Sequence, residues 1–218
     1  MASGTFYPAA SADDGFGGTW DNSSNSLRIG YSAFSFSAAI RFVNVTIPQG
    51  STIDSAFVRL FAYSYQLNIG AGNPVYVRIH FEDADDAAQV SDKADCDDKD
   101  RTTAYADWDI GDDGWGTDWS QQDTPSLVSP LQELVNRGAF ASGNAAQLLI
   151  DHRAGEGGKD RYATAVDYDS GSYKAELHVE WTPPAAPSGW SETFNGVASP
   201  ASVNGVAATD IASVNGVS

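Results

Sequence analysis

The chain has a single cysteine, Cys96, so it can form no internal disulfide and shows nothing of a staple-rich secreted domain. That cysteine stands in Asp95-Cys96-Asp97-Asp98, where neighbouring carboxylates disfavour the thiolate and argue against a nucleophile. Basic residues are scarce: 12 Lys and Arg stand against 29 Asp and Glu, a formal net charge of −17. Such a balance repels phosphate backbones, so no direct nucleic-acid partner is expected. No apolar run approaches the roughly 20 residues that a membrane-crossing helix needs, and no membrane partner is expected. Met1-Ala2-Ser3-Gly4-Thr5 lacks a basic stretch and an apolar stretch, so no secretion signal is expected either. Without one, the triplets Asn22-Ser23-Ser24 and Asn44-Val45-Thr46 are chance matches to the glycosylation sequon.

Catalytic signatures are missing as well. There is no His-Glu-x-x-His, no Gly-x-Ser-x-Gly and no phosphate-loop lysine in the Gly-rich segments. Of the three histidines, His80 and His178 fall on outward faces of strands, and His152 sits at a strand end. A carboxylate pair for glycoside hydrolysis is a matter of spatial separation, about 5–10 Å, and no motif supports one. The expectation is a protein without catalytic residues.

What is present is strand pattern. With 218 residues and 42% hydrophobic content, the chain suits one ordinary globular domain plus a short appendage. In 56–63, Ala56, Val58, Leu60 and Ala62 fall on one face, and Phe57, Arg59, Phe61 and Tyr63 on the other. In 75–81, Val75, Val77, Ile79 and Phe81 point inward. In 175–181, Ala175, Leu177, Val179 and Trp181 do the same. Two further strands are expected at 38–45 and 146–152, the former with Ile40, Phe42 and Asn44 opposite Arg41, Val43 and Val45. One short helix is expected from Ser129 as cap and Pro130 at its first position, with Gln132 closing a capping box and Gly138 ending it. Many short strands of period two indicate a sandwich or barrel.

After Trp181 the composition changes. Residues 183–190 form a Pro-rich linker, and 191–218 a repeat-bearing arm in which Asn-Gly-Val occurs at 195–197, 204–206 and 215–217. Asn-Gly between β-branched residues is a hairpin signal. The candidate assembly residues are Val203, Asn204, Gly205 and Val206, and their repeat Val214, Asn215, Gly216 and Val217. So small a segment orders only against a larger surface.

The succession Leu27-Arg28-Ile29-Gly30, then Ile40-Arg41-Phe42, then Ile47-Pro48-Gln49-Gly50-Ser51-Thr52-Ile53-Asp54-Ser55-Ala56-Phe57-Val58-Arg59-Leu60 resembles the DNRLRE family. Asp160-Arg161-Tyr162-Ala163 followed by 176–181 is similar to that family's closing strand pair. The resemblance covers about 10–182. It implies an all-β, antiparallel, jelly-roll-like β-sandwich (1–182), similar to carbohydrate-binding modules, with no shared catalytic residues. The Val-Asn-Gly-Val tail resembles C-terminal repeats of bacteriophage structural proteins. With no export signal, that likeness implies a virion component, a capsid decoration or cement protein or a tail or fibre component, whose partners are other virion subunits and its own copies.

Two kinds of cluster, acidic and aromatic, carry candidate chemistry. Asp83, Asp85 and Asp86, with Asp107 and Asp109, could supply oxygens to a structural Ca²⁺, or could simply form a solvated acidic surface; the 95–100 run is a third such cluster. None has EF-hand spacing. Trp108, Trp115 and Trp119 lie in an Asp- and Gly-rich stretch, where exposed rings could stack on a surface glycan or a neighbouring subunit, or fold back to cap the core.

Overall fold

The computed structural model describes residues 1–17, 19–30, 37–63, 75–110, 115, 119–153, 161–185, 193–194, 197–198, 202–203 and 206–207. The chain divides into two compact units, Met1–Pro183 and Pro184–Ser218.

The first unit holds strands β1 (Ala2–Phe6), β2 (Asp14–Phe16), β3 (Ser26–Ile29), β4 (Ser37–Phe42), β5 (Thr52–Phe61) and β6 (Val75–Phe81). These are followed by β7 (Ala106–Ile110), β8 (Gln121–Asp123), β9 (Ala146–His152), β10 (Arg161–Thr164) and β11 (Glu176–Thr182). Two helices, α1 (Lys93–Asp98) and α2 (Val128–Val135), interrupt them. One sheet runs β1-β11-β5-β8 and the other β2-β4-β9-β6-β7, with every pairing antiparallel. The chain crosses between sheets from β4 to β5 to β6 and again from β7 to β8 to β9, and its first and last strands, β1 and β11, are neighbours. That is the strand order of a jelly roll, so the all-β sandwich expected from the sequence is the fold.

The alternating strands face each other across the core. Val58, Leu60, Leu177 and Val179 from one sheet meet Ile40, Phe42, Val77, Ile79 and Phe81 from the other, each at most 2% exposed. β9 does not alternate, because both of its faces are covered. Leu148 and Ile150 enter the main core, while Leu149 joins Ala39, Val90 and Cys96 in a second cluster. Cys96 is carried there by α1, which the sequence reading missed. Asp92 caps that helix by accepting the Asp95 N–H at 3.0 Å.

Five expectations are corrected in detail. β4 ends at Phe42, and Asn44 takes a left-handed φ of 53° that breaks the alternation. Asn44 is therefore exposed, and Val45 is turned into the core. Helix α2 begins at Val128 with Leu127 as its cap, so Ser129 and Pro130 lie within its first turn. The buried Leu127 sets that start by donating its N–H to the Ala56 carbonyl at 2.8 Å. Gln132 closes no capping box. Its side chain accepts the Ile53 N–H and donates to the Ser51 carbonyl, both at 2.8 Å, tying the helix to the start of β5. The helix ends at Val135 with Asn136 as its C-terminal cap, ahead of Gly138. Lastly, β10 and β11 are not a pair. β10 pairs with β3 and meets the end of β5 through Ala163 and Ala62, whereas β11 lies between β1 and β5.

In the second unit, Thr193–Phe194 pairs with Val197–Ala198, and Ser202–Val203 with Val206–Ala207. In the sequence, each pair of strands flanks one of the Asn-Gly dipeptides, which themselves lie outside the described residues. The third copy lies outside the described residues.

Candidate functional site

The end of β5 and the approach to β8 run side by side. The Trp119 N–H donates to the Ala62 carbonyl at 2.8 Å, and the Ala62 N–H to the Ser120 carbonyl at 2.9 Å. Trp119 has a left-handed φ of 60°, an uncommon conformation for a bulky residue that surrounding bonds must hold in place. Its indole is stacked on Tyr173, ring centroids 5.6 Å apart and planes 21° apart, and its Nε1 donates to the Tyr168 hydroxyl at 3.1 Å. Tyr168 meets Tyr63 edge-on at 5.5 Å, and Tyr173 meets Phe61 edge-on at 5.7 Å. The two tyrosines are brought in by the 3₁₀ turn Tyr168–Gly171 and the residues after it, with the Thr164 hydroxyl donating to the Tyr173 carbonyl. Trp119 is 42% exposed, and the three tyrosines are half-buried. The cluster is an open aromatic shelf, able to stack on a flat ligand or an aromatic side chain of a neighbour.

The three tryptophans do not form one site. Trp108 and Trp115 stack on each other at 5.6 Å and 25°, and Trp115 is 4% exposed within the main core cluster. Only Trp119 keeps an open face. Its tyrosine partners were missed by sequence reasoning. The available signal was composition: 167–173 reads Asp-Tyr-Asp-Ser-Gly-Ser-Tyr, the Tyr, Ser and Gly mixture of adaptable binding loops.

The nominated carboxylates fall into separate, arginine-centred groups. Arg137 donates to Asp83 and, at 2.8 Å, to Asp85, while Asp86 accepts the Ala145 N–H at 2.8 Å. Asp107 takes two bonds from Arg78, at 2.8 and 3.1 Å, and an ion pair with Arg153 at 2.9 Å; Arg153 also reaches Asp109. The Arg78 guanidinium, with help from Arg153, holds the Asp107 carboxyl below the usual carboxylate range. Among the described residues, no group of three or more His, Cys, Asp or Glu is placed to hold a metal ion.

A second feature lies on the outer face of the β1-β11-β5 sheet. A depression of about 450 Å³ is lined by Ser3, Thr5, Ser55, Phe57, Arg59, His178 and Glu180, among others. His178 is stacked on Phe57 at 4.9 Å, with its Nδ1 hydrogen-bonded to the Thr5 hydroxyl (3.3 Å) and its Nε2 to Glu176 (2.8 Å). Arg59 is held by Asp123 through two bonds, at 2.8 and 2.9 Å. The polar groups here largely satisfy one another.

Of the assembly residues in the tail, Val203 and Val206 are cross-strand partners. Asn204, Gly205, Val214, Asn215, Gly216 and Val217 lie outside the described residues. No family model matches the chain, and no curated protein matches it.

Proposed function

We propose that the chain is a non-enzymatic structural component of a virus particle, a bacteriophage capsid decoration protein whose sandwich is the display body and whose C-terminal tail joins it to neighbouring subunits. One observation carries this reading: the tail is a unit of its own, built from repeated hairpins of only two residue pairs each. An isolated hairpin is marginal in water, so each copy gains order from a surface it packs against. Successive copies on one chain multiply such contacts without any of them being strong. With a formal charge of −17, that surface belongs to protein and not to nucleic acid. Deleting residues 184–218 is expected to leave the sandwich folded, with its melting midpoint within about 2 °C of the full chain, while abolishing incorporation into purified particles. Normal incorporation of the truncated protein overturns the reading.

The Trp119 shelf favours a second reading, a glycan-binding or adhesive surface module. On that reading Trp119→Ala in the full chain weakens retention on a glycan about tenfold or more, the loss expected for one stacked ring. The fold remains intact. A glycan array blank for the unaltered protein removes this reading.

A further inference from the structure

We infer that the aromatic shelf around Trp119 in one copy holds the Pro-rich linker of a second copy, Pro183-Pro184-Ala185-Ala186-Pro187, so that chains join head to tail. The inference rests on the reading of the tail as the joining segment, and it gives the shelf an occupant other than a glycan.

Pro-rich segments adopt the extended polyproline conformation and dock on aromatic-lined surfaces. The entropic cost is small, because each proline ring has already fixed its own φ. The shelf supplies the aromatic faces: Trp119 is 42% exposed and stacked on Tyr173 at 5.6 Å, with Tyr168 and Tyr63 meeting edge-on beside it. It also supplies a donor. The Tyr168 hydroxyl accepts the Trp119 Nε1–H at 3.1 Å and so keeps its own proton to give. The carbonyls of a polyproline segment have no internal partners and stand out as acceptors for it. Trp119 is held at a φ of 60°, and such outliers gather at ligand sites.

The linker is presented at the other end of the body. The Thr182 hydroxyl donates to Asp54 at 2.9 Å, which fixes the point where the chain leaves β11. Pro183, Pro184 and Ala185 beyond it are exposed. Residues 183–190 carry no charge in a chain of formal net charge −17, so this segment approaches another acidic copy without the repulsion its other surfaces meet.

Chain length decides whose linker is bound. Thr182 pairs with Thr52 at the start of β5, whereas the shelf is tied to the far end of β5, where Trp119 bonds to Ala62. The length of β5, Thr52–Phe61, puts those ends about 30 Å apart. Fully extended, the chain from Thr182 to Pro187 spans at most about 18 Å. These prolines therefore cannot turn back onto the shelf of their own body, and a neighbour's shelf is the one they fit. Because shelf and linker sit at opposite ends of β5, the contact is heterologous. It repeats from copy to copy instead of closing as a two-fold dimer.

The test uses the full-length chain. Sedimentation is expected to show association that grows between about 10 μM and about 1 mM. Trp119→Ala disables the shelf, and the combined variant Pro183→Ala, Pro184→Ala and Pro187→Ala disables the linker. Each is expected to weaken association about tenfold or more. An equal mixture of the two variants is expected to form dimers and stop there, since each dimer is left with only a defective shelf and a defective linker. A capped synthetic peptide of residues 182–189 should shift the NMR signal of the Trp119 indole N–H in the unaltered chain, the signal being identified by its loss in Trp119→Phe. An unaltered chain that is monomeric at about 1 mM overturns the contact. So does self-association that neither variant weakens, or a Trp119 signal that a glycan moves and the peptide does not. Incorporation into particles that is lost on deleting 184–218, with no dimers from the mixture, overturns this contact alone and leaves the tail reading standing.

Discussion

Gly30→Ala is expected to cost the sandwich about 2–5 kcal/mol, enough to bring a domain of ordinary stability to the edge of unfolding. Two penalties combine. Gly30 has φ +69°, where a side chain costs about 1–2 kcal/mol. A β-carbon there would also stand 2.3 Å from Val75 Cγ1 and 3.1 Å from Val77 Cγ1, so β6 or the end of β3 must move. Overpacking of that kind adds about 1–3 kcal/mol. Urea denaturation measures the sum, and a double variant separates the parts. Val75→Ala introduced into Gly30→Ala should recover the packing share and leave the backbone share, giving a favourable coupling of about 1 kcal/mol or more. A single variant within about 0.5 kcal/mol of the parent would contradict the geometry.

Trp115→Ala is expected to cost about 3–5 kcal/mol, since the ring is 4% exposed and its removal leaves a large cavity in the main core. The stacked contact with Trp108 is lost as well, worth a further part of that figure. Near-ultraviolet circular dichroism, which reports coupled indoles, should lose intensity, and the urea midpoint should fall. Trp119→Ala, on the open shelf, should move the same midpoint far less. Two tryptophans four residues apart thus separate a structural role from a surface one. Equal effects of the two substitutions would refute that separation.

How much of this could be read in advance depended on how local the cause was. β5, β6 and β11 were legible because each has one face in the core and one outside, which stamps a period of two on the residues. The tail hairpins were legible because an Asn-Gly turn is specified by adjacent residues. β9 carried no alternation, because α1 and the segment holding Val90 cover its second face. Helix α1 had no apolar stripe to announce it: Cys96 alone is buried among its six residues. Asn44 shows how one left-handed residue reverses every inside-outside assignment after it. The arginine partners of the acidic stretches, Arg78, Arg137 and Arg153, were not legible because they lie on other elements. The aromatic shelf joins residues 61–63, 119 and 168–173, and only the sheet pairing at Ala62 brings them into one place.

The position of β11 bears on how the chain is made. Ala2 pairs with Trp181, and Trp181 lies opposite Ile53, so the last strand of the body fills the gap between its first strand and β5. A ribosome must deliver almost the whole body before that sheet can close. Until then β1 and β5 present open edges backed by apolar side chains, which invite wrong pairings. Contacts of such long sequence separation also form slowly. A nascent chain stalled ahead of Glu176 is therefore not a smaller version of the sandwich but one lacking the middle of a sheet, and the speed with which the final strand arrives governs how much of the product reaches its native form.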